Sequence, residues 1–158
     1  MQTTAQIATQ LRHFHFGGNW TGVNMKDTLR DVTWEQATTK IHHLNTIVAL
    51  VYHINYYIDA QLRLLQGQEL TAKDKYSFDH PPVQSQQDWD ALLDKVWKDA
   101  EIFATLIEQF PNDKLCHTFV NDKYGNYFRN FTGAIEHGHY HLGQIVIIKK
   151  MINEGVSN

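Results

Sequence analysis

Apolar residues recur along this chain at intervals of three and four. Four such stretches, separated by loops that hold most of the glycine and all of the proline, predict an all-α protein built as a helical bundle. The first, from about Thr4 to Phe16, sets Ile7, Leu11 and Phe14 on one face and stops at Gly17-Gly18. Residues 19–32 follow as a connector with its own short apolar set, Trp20, Val23, Met25 and Leu29. The second helix opens at Thr33, whose hydroxyl can cap the first turn while Gln36 reaches back to it, a capping box, and the pattern carries it to about Leu65. Its main stripe is Ile41, Leu44, Val48, Val51, Ile58, Leu62 and Leu65. The adjoining face bears Thr46, Ala49, Leu50, His53, Tyr57, Ala60 and Leu64, so His53 is expected to point at protein. Gly67 ends that helix, and the polar stretch to Gln84, with Pro81-Pro82, cannot be helical throughout.

The third helix begins near Ser85 and repeats Trp89, Leu92, Leu93, Val96, Ala100, Phe103, Ile107 and Phe110, a stripe without histidine that reads as a packing surface. Pro111-Asn112-Asp113 closes it. The fourth helix is expected from about Tyr124 to Asn153, with Gly155 as its stop and the residues after it frayed. The face of this helix that bears His137 and His141 also carries Asn130, Gly133, Ala134, Gln144 and Ile148, small or polar residues that leave room between helices.

At 158 residues and 42% hydrophobic, the chain is expected to form one domain spanning 1–158. Fourteen basic against 17 acidic residues leave no electrostatic footprint for nucleic acid or an anionic membrane. A single cysteine, Cys116, cannot close an intramolecular disulfide, which suits a reducing cytoplasm. It adjoins His117, but neighbouring residues seldom face each other, and Cys116 reads as a structural thiol. The N-terminal ten residues lack the basic and apolar regions of a secretion signal, and no stretch reaches bilayer length, so a soluble, unprocessed chain is expected.

Ten histidines are the one compositional excess. His137 and His141, four residues apart on a helix, share a face and can hold one metal ion between them. Such a pair is a weak signal in a histidine-rich chain. Its weight comes from conjunction with His53, a third histidine in the middle of an earlier apolar helix. The plain alternative is a buried polar network of these histidines with Gln144, Asn130 and Asn55. Three converging imidazoles, however, need more partners than a bundle core offers, and one divalent cation satisfies all of them. His139 lies about 200° around the helix from His137 and is expected at the surface or an interface. His13, His15, His42, His43 and His117 read as solvated or edge residues; His42 shares the face of His53 but three turns away. A His-Glu-x-x-His protease site is excluded because Gly138 follows His137, and a di-iron site is excluded because only one Glu-x-x-His motif, Glu136 to His139, exists.

Two segments, Val51-Tyr52-His53-Ile54-Asn55-Tyr56-Tyr57-Ile58 and His137-Gly138-His139-Tyr140-His141-Leu142-Gly143-Gln144-Ile145, resemble the DinB-like superfamily of metal-binding four-helix bundles. That superfamily includes bacillithiol S-transferases and, more distantly, mycothiol-dependent maleylpyruvate isomerases. Helix order, connector lengths and the helix start at Trp34 agree over most of the chain. The resemblance implies a four-helix bundle with long crossover connections, often a homodimer, with nickel or zinc bound by His53, His137 and His141. It implies a low-molecular-weight thiol as a co-substrate, although no motif here assigns one. The extra C-terminal domain of the larger mycothiol-dependent relatives has no counterpart.

Three protein ligands leave a coordination position for water or substrate, as in catalytic sites, whereas structural zinc is closed by four ligands. The expectation is a cytoplasmic enzyme acting on a small electrophile, either a bacillithiol-type S-transferase or a hydrolase. The alternative is a non-catalytic metal-binding or scaffold bundle. Gln144, Asn55, Asn130 and Tyr57 are candidates to orient the ligands. The Gly17-Gly18-Asn19-Trp20 connector and the His80-Pro81-Pro82 loop are candidates for the mouth of the site, with His80 a possible fourth ligand.

Overall fold

A computed structural model describes residues 2–155 of the chain. Among them are six α-helices: α1 (Thr3–Phe16), α2 (Met25–Leu29), α3 (Trp34–Thr38), α4 (Ile47–Leu65), α5 (Gln86–Gln109) and α6 (Tyr127–Asn153). Two single 3₁₀ turns, Asp74–Tyr76 and Asn112–Lys114, interrupt the longer loops. No strand forms among the described residues; one isolated bridge pairs Thr118 with Asn126. No helix among them is long and apolar enough to cross a membrane.

Helix starts follow the side-chain chemistry of the residue before each. Thr33 accepts from the Gln36 amide while Gln36 Oε1 accepts from the Thr33 amide, so the capping box forms as expected. Ser85 and Asn126 cap α5 and α6 by accepting from the amides of Asp88 and Arg129. The side chain of Gln2 does not cap α1. Its first amide, that of Thr3, donates instead to Asn112 Oδ1 (3.0 Å), tying the first helix to the turn that closes α5. At the far end, Gly155 adopts φ +72° just beyond α6 and supplies the stop. The fraying expected after it falls on residues 156–158, outside the described region.

The four long helices form a ring: α1 packs on α5 and α6, and α4 packs on the same two. Leu11 and Phe14 from α1, Val51, Ile54 and Ile58 from α4, Trp89 and Phe103 from α5, and Phe131 and Ile145 from α6 meet in one buried cluster. Each such side chain contributes about 1.5–3 kcal/mol through burial. The Trp89 indole, fully buried, donates to Val32 O (2.9 Å), which fastens the connector before α3 to the core. On the outside, Arg12 bridges α1 to Glu101 and Glu108 of α5, and Lys95 of α5 reaches Asp59 of α4.

The structure departs from the expected elements in three places. The helix expected over 33–65 is two helices separated by 39–46. The hydroxyls of Thr38 and Thr39 bond back to the carbonyls of Trp34 and Glu35, Thr39 turns extended, and His42 takes a left-handed φ of 45°; Thr46 then caps a new helix. His42 is therefore not on the helix of His53, and Leu44, expected in the buried stripe, is exposed. In the 19–32 connector Met25 and Leu29 are buried on a helix of their own, whereas Trp20 and Val23 face outward. Helix α6 starts at Tyr127, after Asn126, rather than at Tyr124.

Most notably, His15 is fully buried, not solvated. Its Nδ1 donates to Leu11 O (2.9 Å), and burial pushes its pKa down from 6.5 to about 4. Because the folded value lies below the unfolded one, the unfolded chain binds more protons between them. Stability is whole above pH 6.5 and falls as pH drops toward 4, by up to about 1.4 kcal/mol per pH unit from this one group. Urea titrations of wild type and His15→Leu across that window are expected to show a shallower pH dependence in the variant. Comparing the two proteins separates His15 from the other histidines.

Helices α1 and α6 approach closely at Gly138. A Cβ placed there would lie 2.5 Å from Phe14 Cζ on α1. Gly138→Ala is expected to cost about 1–3 kcal/mol, as overpacking of a core does, and the Phe14→Leu background to recover part of it, read by thermal unfolding.

Candidate metal centre

His53 sits in the middle of α4, and His137 and His141 sit one turn apart on α6, so two packed helices bring the three rings together. One nitrogen from each lies within 4.8 Å of the others, and these three residues can hold a metal ion. His53 and His141 are buried and His137 is half-buried. The closest pair, His53 Nε2 and His137 Nε2, is 3.0 Å apart. A tetrahedral ion with metal–nitrogen bonds of about 2.0–2.1 Å separates its nitrogens by about 3.3 Å, so this pair already has nearly the spacing that one shared ion needs.

The protonation chemistry fits the same use. Burial first, then the neighbouring charges of His141 and His53, hold the His137 pKa down at about 4. Burial and His141 likewise depress that of His53, opposed weakly by the Ser77 backbone and Asp74. Both rings are therefore neutral near pH 7, the state in which imidazole binds metal. His141 Nδ1 donates to Gln144 Oε1 (2.7 Å), which leaves its Nε2 as a lone pair facing the cluster. His53 Nδ1 is buried with no hydrogen-bond partner of normal geometry, although the Ser77 backbone is near enough to be felt electrostatically.

The expected orienting residues divide. Gln144 touches a ligand directly. Tyr57 packs edge-on against His53 and His137, with ring centroids 5.2 and 5.1 Å away, and its hydroxyl donates to Asp74 Oδ1. Burial raises its pKa, so the phenol stays protonated. Asn55 points elsewhere: its amide donates to Asp99 of α5 (2.8 Å). Asn130 bonds the carbonyls of Tyr124 and Asn126 and supports the start of α6. His80 lies outside the cluster; its Nδ1 contacts Pro81 O, and its ring is 6.3 Å from that of Tyr52. His139 points away from the pair, as expected, and is half-buried against Phe14 (4.9 Å between centroids). Cys116, read from the sequence as a structural thiol, is free and exposed.

One contact had no sequence signal. Phe78, from the polar loop after α4, stacks flat on His53 with centroids 3.9 Å apart and 6° between planes. It covers one face of that ligand. A cavity of about 340 Å³ has His137 and Tyr57 in its wall, with Gln61 and residues from 123–134 around it. The 17–20 connector, expected at the mouth, does not line this cavity. A larger one, about 420 Å³, lies between α4, α5 and the 69–81 loop, but no histidine lines it and its cations are ion-paired, Arg63 with Asp59 and Lys95 with Asp59 and Asp99. The smaller cavity is the one with a histidine of the cluster, His137, in its wall.

Compared with protein-family models, curated proteins and solved structures, the chain has no significant match.

Removing the hydrogen bond that orients a ligand weakens metal binding without removing the ligand. Gln144→Leu is expected to lower zinc affinity about 10–100-fold, measured by competition with a chromophoric chelator.

Proposed function

We propose that this chain is a metal-dependent enzyme of the DinB-like kind, a four-helix bundle with crossover connections in which His53, His137 and His141 hold nickel or zinc. The observation that carries this reading is the convergence of three histidines, two of them held neutral near pH 7, beside a cavity that His137 lines. A structural ion would be enclosed by a fourth protein ligand, and among the described residues no fourth histidine, cysteine or carboxylate joins the cluster. The ring of α1, α4, α5 and α6, with the ligands on α4 and α6, supports the bundle. The proposed setting is the cytoplasm and the proposed assembly a homodimer.

A bound divalent ion supplies a Lewis acid that lowers the pKa of a thiol or a water, which suits transfer of a small thiol to an electrophile, or hydrolysis. The chain's own groups prepare the place. Gln144 fixes the His141 tautomer, Phe78 shuts the far face of His53 from water, and the Tyr57 hydroxyl, spent on Asp74, leaves its ring as an apolar wall. Substrate therefore approaches from the His137 side.

Elemental analysis of untagged protein tests the site. About one nickel or zinc per chain is expected, and its loss in His53→Ala and in His137→Ala. Full metal content in the triple alanine variant would overturn the assignment, as would failure to take up either metal on incubation. Chelation followed by thermal unfolding separates enzyme from scaffold: the enzyme reading expects a folded apo-protein, and unfolding on chelation would favour a structural ion.

A further inference from the structure

The cavity beside His137 carries a charge pattern that the metal alone does not explain. Two cations, Lys123 and Arg129, stand in its lining, and no carboxylate does. Among the described residues neither is ion-paired, in a chain whose net charge is −3; Lys123 rests over the Tyr124 ring instead. Arg129 occupies the first turn of α6, where no acidic residue offsets the positive end of the helix dipole. A cation placed there adds to that field. Both are held in position by backbone bonds, the Lys123 amide on Asn121 Oδ1 and the Arg129 amide on Asn126 Oδ1. On the inner wall, Gln61 is nine-tenths buried and its Oε1 has no donor. Buried acceptors are seldom left unmade, so this one marks the place of a donor that the chain itself does not provide.

We propose that this cavity binds a small anionic molecule, carboxylate or phosphoryl, whose charged end lies at Lys123 and Arg129 and whose own N–H or O–H donates to Gln61. A volume of about 340 Å³ is sufficient for such a ligand. The proposal deepens the enzymatic reading of the histidine site, on which it rests for the ligand's role as substrate: the anion anchors the molecule while its reacting end meets His137. The binding itself requires no metal.

Isothermal titration calorimetry on the full chain, metal-free and zinc-loaded, tests it with three probes. Hippurate carries a carboxylate and an amide N–H, hippuramide is its neutral analogue, and phenyl phosphate is an anion without that donor. Expected are binding of hippurate to the metal-free chain, hippuramide weaker by about tenfold, and a similar loss of hippurate affinity in Lys123→Gln/Arg129→Gln. The difference between hippurate and hippuramide should shrink in about 1 M salt, where the screening length falls to about 3 Å. Gln61→Leu should weaken hippurate and spare phenyl phosphate, and the stronger of the two anions names the carboxylate or phosphoryl source. Equal affinity for hippurate and hippuramide, unchanged binding in the double variant, or no anion binding to the metal-free chain each overturns the proposal. Anion binding by a chain that takes up no metal would sink the metal reading and leave this one standing; metal uptake without anion binding would do the reverse.

Discussion

The contact between Phe14 and Gly138 sets the rotation of α6, and the site depends on that rotation. With no side chain at 138, the phenyl ring of α1 lies against the backbone of α6. Successive residues on a helix differ by about 100°, so directing residue 138 toward α1 sends 137 and 141 to one flank and 139 to the other. That is the arrangement seen: His137 and His141 meet His53 on α4, while His139 tilts over Phe14. The same glycine that rules out a His-Glu-x-x-His protease motif thus has a packing role. It lets two helices approach closely enough to share a histidine-bearing face with a third.

A second constraint follows from the dielectric. Imidazoles crowded within 4.8 Å cannot all carry charge in a largely dry interior, and the depressed values of His53 and His137 express that repulsion together with burial. Neutral rings have lone pairs to offer. Where two such nitrogens stand 3.0 Å apart, a proton can serve only one pair at a time, whereas a divalent ion can serve all three. His15 obeys the same rule on the opposite side of α6, but with Leu11 O as its partner and no second ligand it remains a buried single histidine. The contrast shows why burial of a histidine is not evidence for a metal, and why convergence is.

The parts legible in the sequence were those governed by short-range rules. The spacing of His137 and His141, the mid-helix position of His53, the capping box at Thr33 and the helix start near Ser85 are local, and the structure contains all of them. The break at 39–46 was hidden because Ile41 and Val48 keep the helical period and both are buried, although a non-helical link joins them. Periodicity reports burial, and here burial continued after the helix stopped. His15 was misread for the related reason that its neighbours Phe14 and Phe16 obscure which face it occupies. Phe78 and Gln61 had no signal at all. Phe78 comes to His53 from a loop across 25 residues of chain, and Gln61 reads as an ordinary polar residue near the end of α4.

These two unforeseen residues give the site its direction. Phe78 stacks on His53 from the loop side, where Asp74 also fixes the Tyr57 hydroxyl, so that flank is built and closed. Gln61, one turn beyond Tyr57 on the same helix, faces instead the space bounded by the start of α6. Lys123 and Arg129 share the wall of that space with His137. Helices α4 and α6 therefore place the three histidines, the loop after α4 covers one of them through Phe78, and the charge in the cavity wall comes from a loop at Lys123 and from the first turn of α6 at Arg129.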